Sequence, residues 1–184
     1  MRTTFTLFLI VSALTILAQD KQVEYYENGT KKVEYFGEKD KPNGVVKLYF
    51  PTGELNAELN FINGIQDGLS KVYFKSGSIE KEMHFKNGQQ IDTMKIFYEK
   101  GQLHELSIIK NGKKNGIYKL YYENGQIELD GFTKDNMVHG YCVHYKENGD
   151  EWKKGEYDMG IPVGNWTEHD SIGVTFKQYG KPNK

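Results

Sequence analysis

Alanine is nearly absent from this chain, with three copies in 184 residues, at positions 13, 18 and 57. Alanine is the strongest helix former, and its scarcity argues against helices; none of any length is expected after residue 18. Cysteine occurs once, at Cys142, so no disulfide can close within the chain. An excess of one charge sign is also missing, because 24 Lys plus Arg stand against 25 Asp plus Glu. A balanced chain has no electrostatic footprint for a phosphate backbone, so nucleic acid is not an expected partner. Chemistry-bearing motifs are missing too. The five histidines, His84, His104, His139, His144 and His169, share no His-x-x-x-His spacing. No Gly-x-Ser-x-Gly elbow occurs, and the glycines precede strands rather than helices, which excludes a phosphate-binding loop. No metal, no cofactor and no enzymatic activity are expected.

What the chain has in quantity is glycine, 20 residues, and tyrosine, 13 residues. Aromatic residues favour strands and glycine favours turns, so the composition indicates β structure with many turns. The one long apolar run lies at the start. Met1-Arg2 opens the chain, Phe5 to Ala18 is uninterrupted by charge, and Gln19-Asp20-Lys21 follows. That length is short for a membrane span and fits a secretory signal peptide cleaved near Ala18. Residues 1–18 are therefore read as a signal and 19–184 as the mature repeat array, exported to the periplasm, the outer surface or the medium. Removing 1–18 takes away Arg2 and no acid, which leaves a weakly acidic chain.

Self-similarity dominates the remainder. An aromatic-aromatic-x-x-Gly motif recurs as Tyr25-Tyr26 to Gly29, Tyr49-Phe50 to Gly53, Tyr73-Phe74 to Gly77, Phe97-Tyr98 to Gly101 and Tyr121-Tyr122 to Gly125. Weaker copies end at Gly149 and Gly173, and every step is 24 residues. Two further columns keep the same step: Asp40, Gly64, Gly88, Gly112, Asn136, Gly160, and Gly44, Gly68, Asp92, Gly116, Gly140, Gly164. Where Gly is missing, Asn or Asp replaces it, the residues that best tolerate positive φ. These columns mark left-handed backbone positions.

The turn at Glu123-Asn124-Gly125 reads as a type I turn closed by a left-handed Gly, a three-residue hairpin loop with a bulge. Pro51 occupies the first central position of its copy, where type I turns favour proline. Val45 to Phe50 leads into a turn as a strand, and Glu54 to Phe61 leads out as another. In the lead-out strand Leu55, Ala57, Leu59 and Phe61 alternate with polar residues, the mark of a half-buried strand. A longer loop, Phe61 to Gly68, should return the chain to the next hairpin. Two strands per repeat joined by short connections predict an all-β fold: an elongated, twisted antiparallel meander of about six 24-residue hairpins.

The pattern Tyr-Tyr-x-Asn-Gly-x-Ile followed by Phe-x-x-Gly-x-x-x-Gly, carried best at Tyr73 to Asp92 and Tyr121 to Gly140, resembles the MORN (membrane occupation and recognition nexus) repeat. It is most similar to the bacterial YwqK-type antitoxin variant. The resemblance spans roughly residues 25–176. It implies a single-layer antiparallel sheet with a binding or scaffolding role and no catalysis by the repeats. Eukaryotic relatives are linked to lipid binding and to protein assembly. An antitoxin that carries an export segment would have to meet its toxin in the cell envelope.

Alternation along the lead-in strands separates two faces. One carries Lys47, Lys71, Lys95 and Lys119 beside Tyr49, Tyr73, Phe97, Tyr121 and Tyr145, and is the candidate recognition surface. Tyrosine suits recognition, with a rigid apolar ring and a polar end. The same rings also suit cross-strand packing, which a sheet with little core needs. The other face carries Val46, Met94, Tyr118, Cys142 and Trp166 with Leu48, Val72, Ile96 and Leu120. Cys142 reads there as a small buried hydrophobe, the alternative being an intermolecular thiol. Toward the C-terminus the apolar ladder gives way to His144 and Glu168 and then to Lys146 and Asp170, as a polar cap or as a distinct partner surface. The expected function is an exported protein-interaction scaffold or antitoxin-like module. The alternatives are a cell-envelope glycan-binding module and a membrane-surface-binding module.

Overall fold

The computed structural model describes residues 20–180, so the signal reading of residues 1–18 lies outside the described residues. Seventeen strands follow one another: β1 (Lys21–Tyr25), β2 (Lys31–Glu38), β3 (Lys41–Pro42), β4 (Gly44–Tyr49), β5 (Leu55–Ile62), β6 (Ile65–Gln66), β7 (Gly68–Tyr73), β8 (Ile79–Lys86) and β9 (Gln89–Phe97). Then come β10 (Leu103–Lys110), β11 (Lys113–Tyr121), β12 (Ile127–Lys134), β13 (Met137–Val138), β14 (Gly140–Tyr145), β15 (Glu151–Asp158), β16 (Ile161–His169) and β17 (Val174–Tyr179). All pairings are antiparallel, and each long strand pairs with its neighbours in sequence, from β1 with β2 to β16 with β17. The two-residue strands β3, β6 and β13 are short lead-ins to β4, β7 and β14. The result is the open meander that the 24-residue period predicts.

The aromatic-x-x-Gly turns have the expected form. In six of them the Gly amide donates to the carbonyl three residues back, as from Gly125 to Tyr122 at 2.9 Å. The residue that accepts this bond donates its own amide across the hairpin, as from Tyr122 to Gln126. Gly29, Gly53, Gly77, Gly101, Gly125 and Gly149 all take φ between 82° and 104°. The Gly173 turn departs: φ is 147°, Asp170 donates to the Gly173 carbonyl, and the Asp170 carboxylate accepts from the Ile172 and Gly173 amides. The Asp side chain thus supplies the turn's partners in place of the backbone.

The second connection is tighter than a longer loop. Asn63-Gly64, Asn87-Gly88, Asn111-Gly112, Asp135-Asn136 and Met159-Gly160 each place two successive residues at positive φ. That is the two-residue hairpin turn whose backbone twist matches the flanking strands, and Ile62 pairs directly with Ile65 across it. The Asn-Gly dipeptides carried this signal. The expected left-handed columns hold throughout except at Asp40, which is not among the positive-φ residues. These turns also stack. The amides of Gly64, Gly88, Gly112, Asn136 and Gly160 donate to the carbonyls of Pro42, Gln66, Gln90, Lys114 and Val138, the turn 22 residues earlier, at 2.7–3.3 Å.

The core is one stripe along one face. Directly opposed residues share a face, and the register aligns Val46 with Leu59, Ser70 with Met83, Met94 with Ser107, Tyr118 with Gly131 and Cys142 with Gly155. Val46, Ser70, Met94, Ser107, Cys142 and Trp166 are all buried. Along this stripe large and small residues trade places. The lead-out column runs Tyr35, Leu59, Met83, Ser107, Gly131, Gly155, falling in size, while the lead-in column ends in Tyr118, Cys142 and Trp166. Gly155 is required by its neighbour: a Cβ there would lie 2.4–2.6 Å from the Trp166 indole, and one on Gly131 would lie 2.4 Å from the Cys142 sulfur. Cys142 is fully buried, and burial pushes its thiol pKa up. Its role is packing, as its column indicated.

Candidate functional site

The face opposite the core stripe carries the lysines and aromatics singled out above. A bulge between Leu48 and Tyr49, repeated at Val72/Tyr73 and Leu120/Tyr121, shifts the register next to each turn. It brings Leu55 across from Tyr49, Ile79 across from Tyr73, Leu103 across from Phe97 and Ile127 across from Tyr121. Simple alternation would have left Leu55 with Ala57; the bulge separates them. Tyr49, Tyr73, Phe97, Tyr121 and Tyr145 are all half-buried, so each presents part of a ring to solvent and packs the rest.

The lysines are not a free basic stripe. The register lines them up with an acidic column of the lead-out strands, giving a row across the sheet: Glu34, Lys47, Glu58, Lys71, Glu82, Lys95. Lys47 meets Glu58 at 3.1 Å and Lys71 meets Glu82 at 3.6 Å. Lys95 sits across from Glu82 on one side and Leu106 on the other. Past Leu106 the alternation resumes with Lys119 and Asp130 at 2.7 Å. Opposite charges on adjacent strands, about 4.8 Å apart, stabilise the ladder by roughly 0.2–1 kcal/mol per pair. Glu34, Glu58, Glu82 and Asp130 belong to the site, and the sequence reading missed them as partners. Their signal was their own 24-residue step, offset from that of the lysines.

The electrostatics follow the pairing. The Glu58 carboxylate is held below its usual range, first by the Tyr73 hydroxyl, which donates to it at 2.8 Å, and then by Lys47. Burial pushes the Tyr73 hydroxyl up to about 12, and the bond to Glu58 adds to this. Lys47 and Lys119 are raised by Glu58 and Asp130. Tyr49 has a different neighbour, with the Lys31 ammonium 5.7 Å from its ring centre. The next aromatic column ties hairpin to hairpin. The hydroxyls of Tyr26, Tyr98 and Tyr122 donate at 2.8 Å to the carbonyls of Tyr49, Tyr121 and Tyr145, each 23 residues on. So the candidate residues share one face, as predicted, but as a neutralised ladder with half-exposed rings.

A second cluster lies at the C-terminal end, where the apolar ladder decays. His144 sits among Trp152, Tyr157 and Trp166, with ring centres 6.0–6.4 Å away, and Tyr157 meets Trp166 edge-on at 5.0 Å. The Tyr157 hydroxyl lies 3.1 Å from His144 Nε2. Burial depresses the His144 pKa to about 4, with Lys153 adding to the effect. The Lys153 ammonium lies 4.4 Å from the Trp152 ring centre, and Trp152 is 42 % exposed. Among the described residues, no group of three or more His, Cys, Asp or Glu side chains is placed to hold a metal ion.

No curated protein matches the chain. A family model, the MORN repeat variant, matches three stretches, residues 42–63, 66–87 and 114–135. Each stretch is one hairpin that ends on a left-handed turn residue, Asn63, Asn87 or Asp135. The three matches keep the register in which the other hairpins also repeat, and the hairpins they cover are repeats of the MORN variant type.

Proposed function

We propose that this chain is an exported, non-enzymatic interaction scaffold whose charge-ladder face docks a protein partner, with an antitoxin-like role in the cell envelope as one form of that activity. The observation that carries this reading is the alternating row from Glu34 to Lys95, continued at Lys119 and Asp130. Anionic lipid or nucleic acid needs a net basic stripe, and here the lysines have carboxylates beside them. A protein surface can present alternating charge and also pack against half-exposed tyrosines. A specific observation favours a second reading. Trp152 and Tyr141, 42 % and 52 % exposed, offer aromatic platforms at the C-terminal end that would suit sugar rings.

The test is to purify the protein from its own host, from the envelope and the medium, and to determine its N-terminus and its companions. The expected result is a chain that begins near Gln19 with one stoichiometric protein, lost on Tyr73→Ala with Tyr121→Ala while circular dichroism stays native. Retention on cell wall or polysaccharide with no protein, abolished by Trp152→Ala, supports the glycan reading instead. Flotation with anionic liposomes supports membrane binding. An intact N-terminus on a cytosolic protein refutes export.

A further inference from the structure

The two ends of the sheet are complementary edges. Among the described residues β1 pairs only with β2, and β17 pairs only with β16. β1 is a lead-in strand and β17 a lead-out strand, and among the described residues the outer side of each is open. Inside the chain every lead-out strand lies beside the next lead-in strand in a fixed register. Val33 faces Leu48 and Glu34 faces Lys47, then Ala57 faces Val72 and Glu58 faces Lys71, and so on to Lys153 facing Glu168. Among the described residues no lead-in strand follows β17, and the β1 of a second copy has the pattern to supply one.

We propose that copies of this chain add head to tail, β17 of one pairing with β1 of the next in the register of the internal junctions. Carried forward by the 24-residue repeat, that register sets Lys177 against Glu24 and Gln178 against Val23 of the second copy. The charges match, and the pair repeats the last internal junction, where Lys153 faces Glu168. The same register brings Phe176, 81 % exposed, beside Tyr25, 60 % exposed. Ile172 and Val174 are also exposed, at 95 % and 49 %, and no residue of β17 is buried. A lone edge strand with exposed aromatic and β-branched side chains is a template for strand addition. The contact is heterologous, so it generates a line of subunits rather than a closed dimer. Each copy continues the sheet of the last.

Sedimentation of the protein as its host produces it, across its soluble concentration range, tests this. The expected mass rises with concentration through dimer, trimer and longer species. Lys177→Glu alone and Glu24→Lys alone should each raise the concentration needed for assembly by about tenfold or more, because like charges then oppose each other at every junction. An equimolar mixture of the two variants should restore assembly, since each now offers the other an opposite charge at both ends. A purely structural role for either residue gives no rescue on mixing. A wild-type protein that stays monomeric throughout, or one that stops at a dimer indifferent to both reversals, overturns the proposal. So does a mixture that assembles no better than its components.

Discussion

The N-terminal and C-terminal halves of this sheet share one backbone repeat and solve the packing problem with opposite assignments. In the N-terminal half the lead-out strands supply the bulk, with Tyr35 and Leu59 facing small or medium lead-in residues such as Val46 and Ser70. In the C-terminal half the lead-out strands supply Gly131 and Gly155, and Tyr118, Cys142 and Trp166 fill the space from the other side. The bulk passes from the lead-out column to the lead-in column along the sheet, and close packing ties each exchange to the residue opposite. The ladder faces differ too. The charged row runs unbroken from Glu34 to Lys95, whereas Leu106 interrupts it and Val143 faces Asp130 further on. Stability in the first half draws on paired charges; in the last it draws on an aromatic cluster around His144.

The sharpest way to break that contrast is at its largest rung. Trp166→Ala should cost about 3–5 kcal/mol. Gly155→Ala should destabilise by about 1–3 kcal/mol, because its methyl meets the indole. Urea denaturation followed by circular dichroism measures each. If the rung is one volume, Gly155→Ala should cost much less in a Trp166→Leu background, and equal costs in both backgrounds would disprove the coupling.

At the midpoint between the halves, buried Glu105 accepts a bond from Ser107 and pairs with Lys114, whose ammonium lies 5.1 Å from the Tyr118 ring centre. Removing one partner of a buried pair leaves the other uncompensated. Lys114→Met should therefore destabilise by up to about 3–5 kcal/mol, and the joint change with Glu105→Leu should recover most of it. Hydrogen exchange at β10 and β11 would report both.

Acid should separate the halves. His144 has a folded pKa near 4, below its value of 6.5 in an unfolded chain. Between those values the unfolded state binds the proton and the folded state does not, so stability falls as pH drops from about 6.5 toward 4 and is fully present above that window. Glu58 and the other lowered glutamates contribute stability above their unfolded value of 4.5 and lose it only as pH falls below that. The C-terminal hairpins should thus loosen first on acidification, seen as Trp152 and Trp166 fluorescence changing before β4 and β5 lose exchange protection. His144→Phe should flatten the upper part of the profile.

The smallest effects lie at single turns and single surface pairs. Met159 holds φ 48° where the equivalent turns have Asn or Asp. A left-handed L-residue costs about 1–2 kcal/mol, so Met159→Asn should raise stability by up to about 1 kcal/mol. Lys47→Ala should cost only about 0.2–1 kcal/mol, read by the same urea denaturation.

The sequence by itself determined the period, the strand count per repeat, the antiparallel course and the left-handed turn positions. These are local matters: a turn that needs positive φ selects Gly, Asn or Asp wherever it recurs. It also determined which face Lys47, Lys71, Lys95 and Lys119 occupy, because alternation is a property of one strand. Only the tertiary structure decided what those lysines meet. Register is a relation between strands, and one bulge beside each turn sets Glu58 rather than another residue across from Lys47. The tight Asn-Gly turn was legible in its dipeptide and concealed by reading the glycine column alone. The Gly131 and Gly155 rungs were legible to neither composition nor period, because those glycines serve a neighbour's bulk and not their own backbone. A side chain's size acquires meaning only against the residue it faces, and that residue is fixed by the folded sheet.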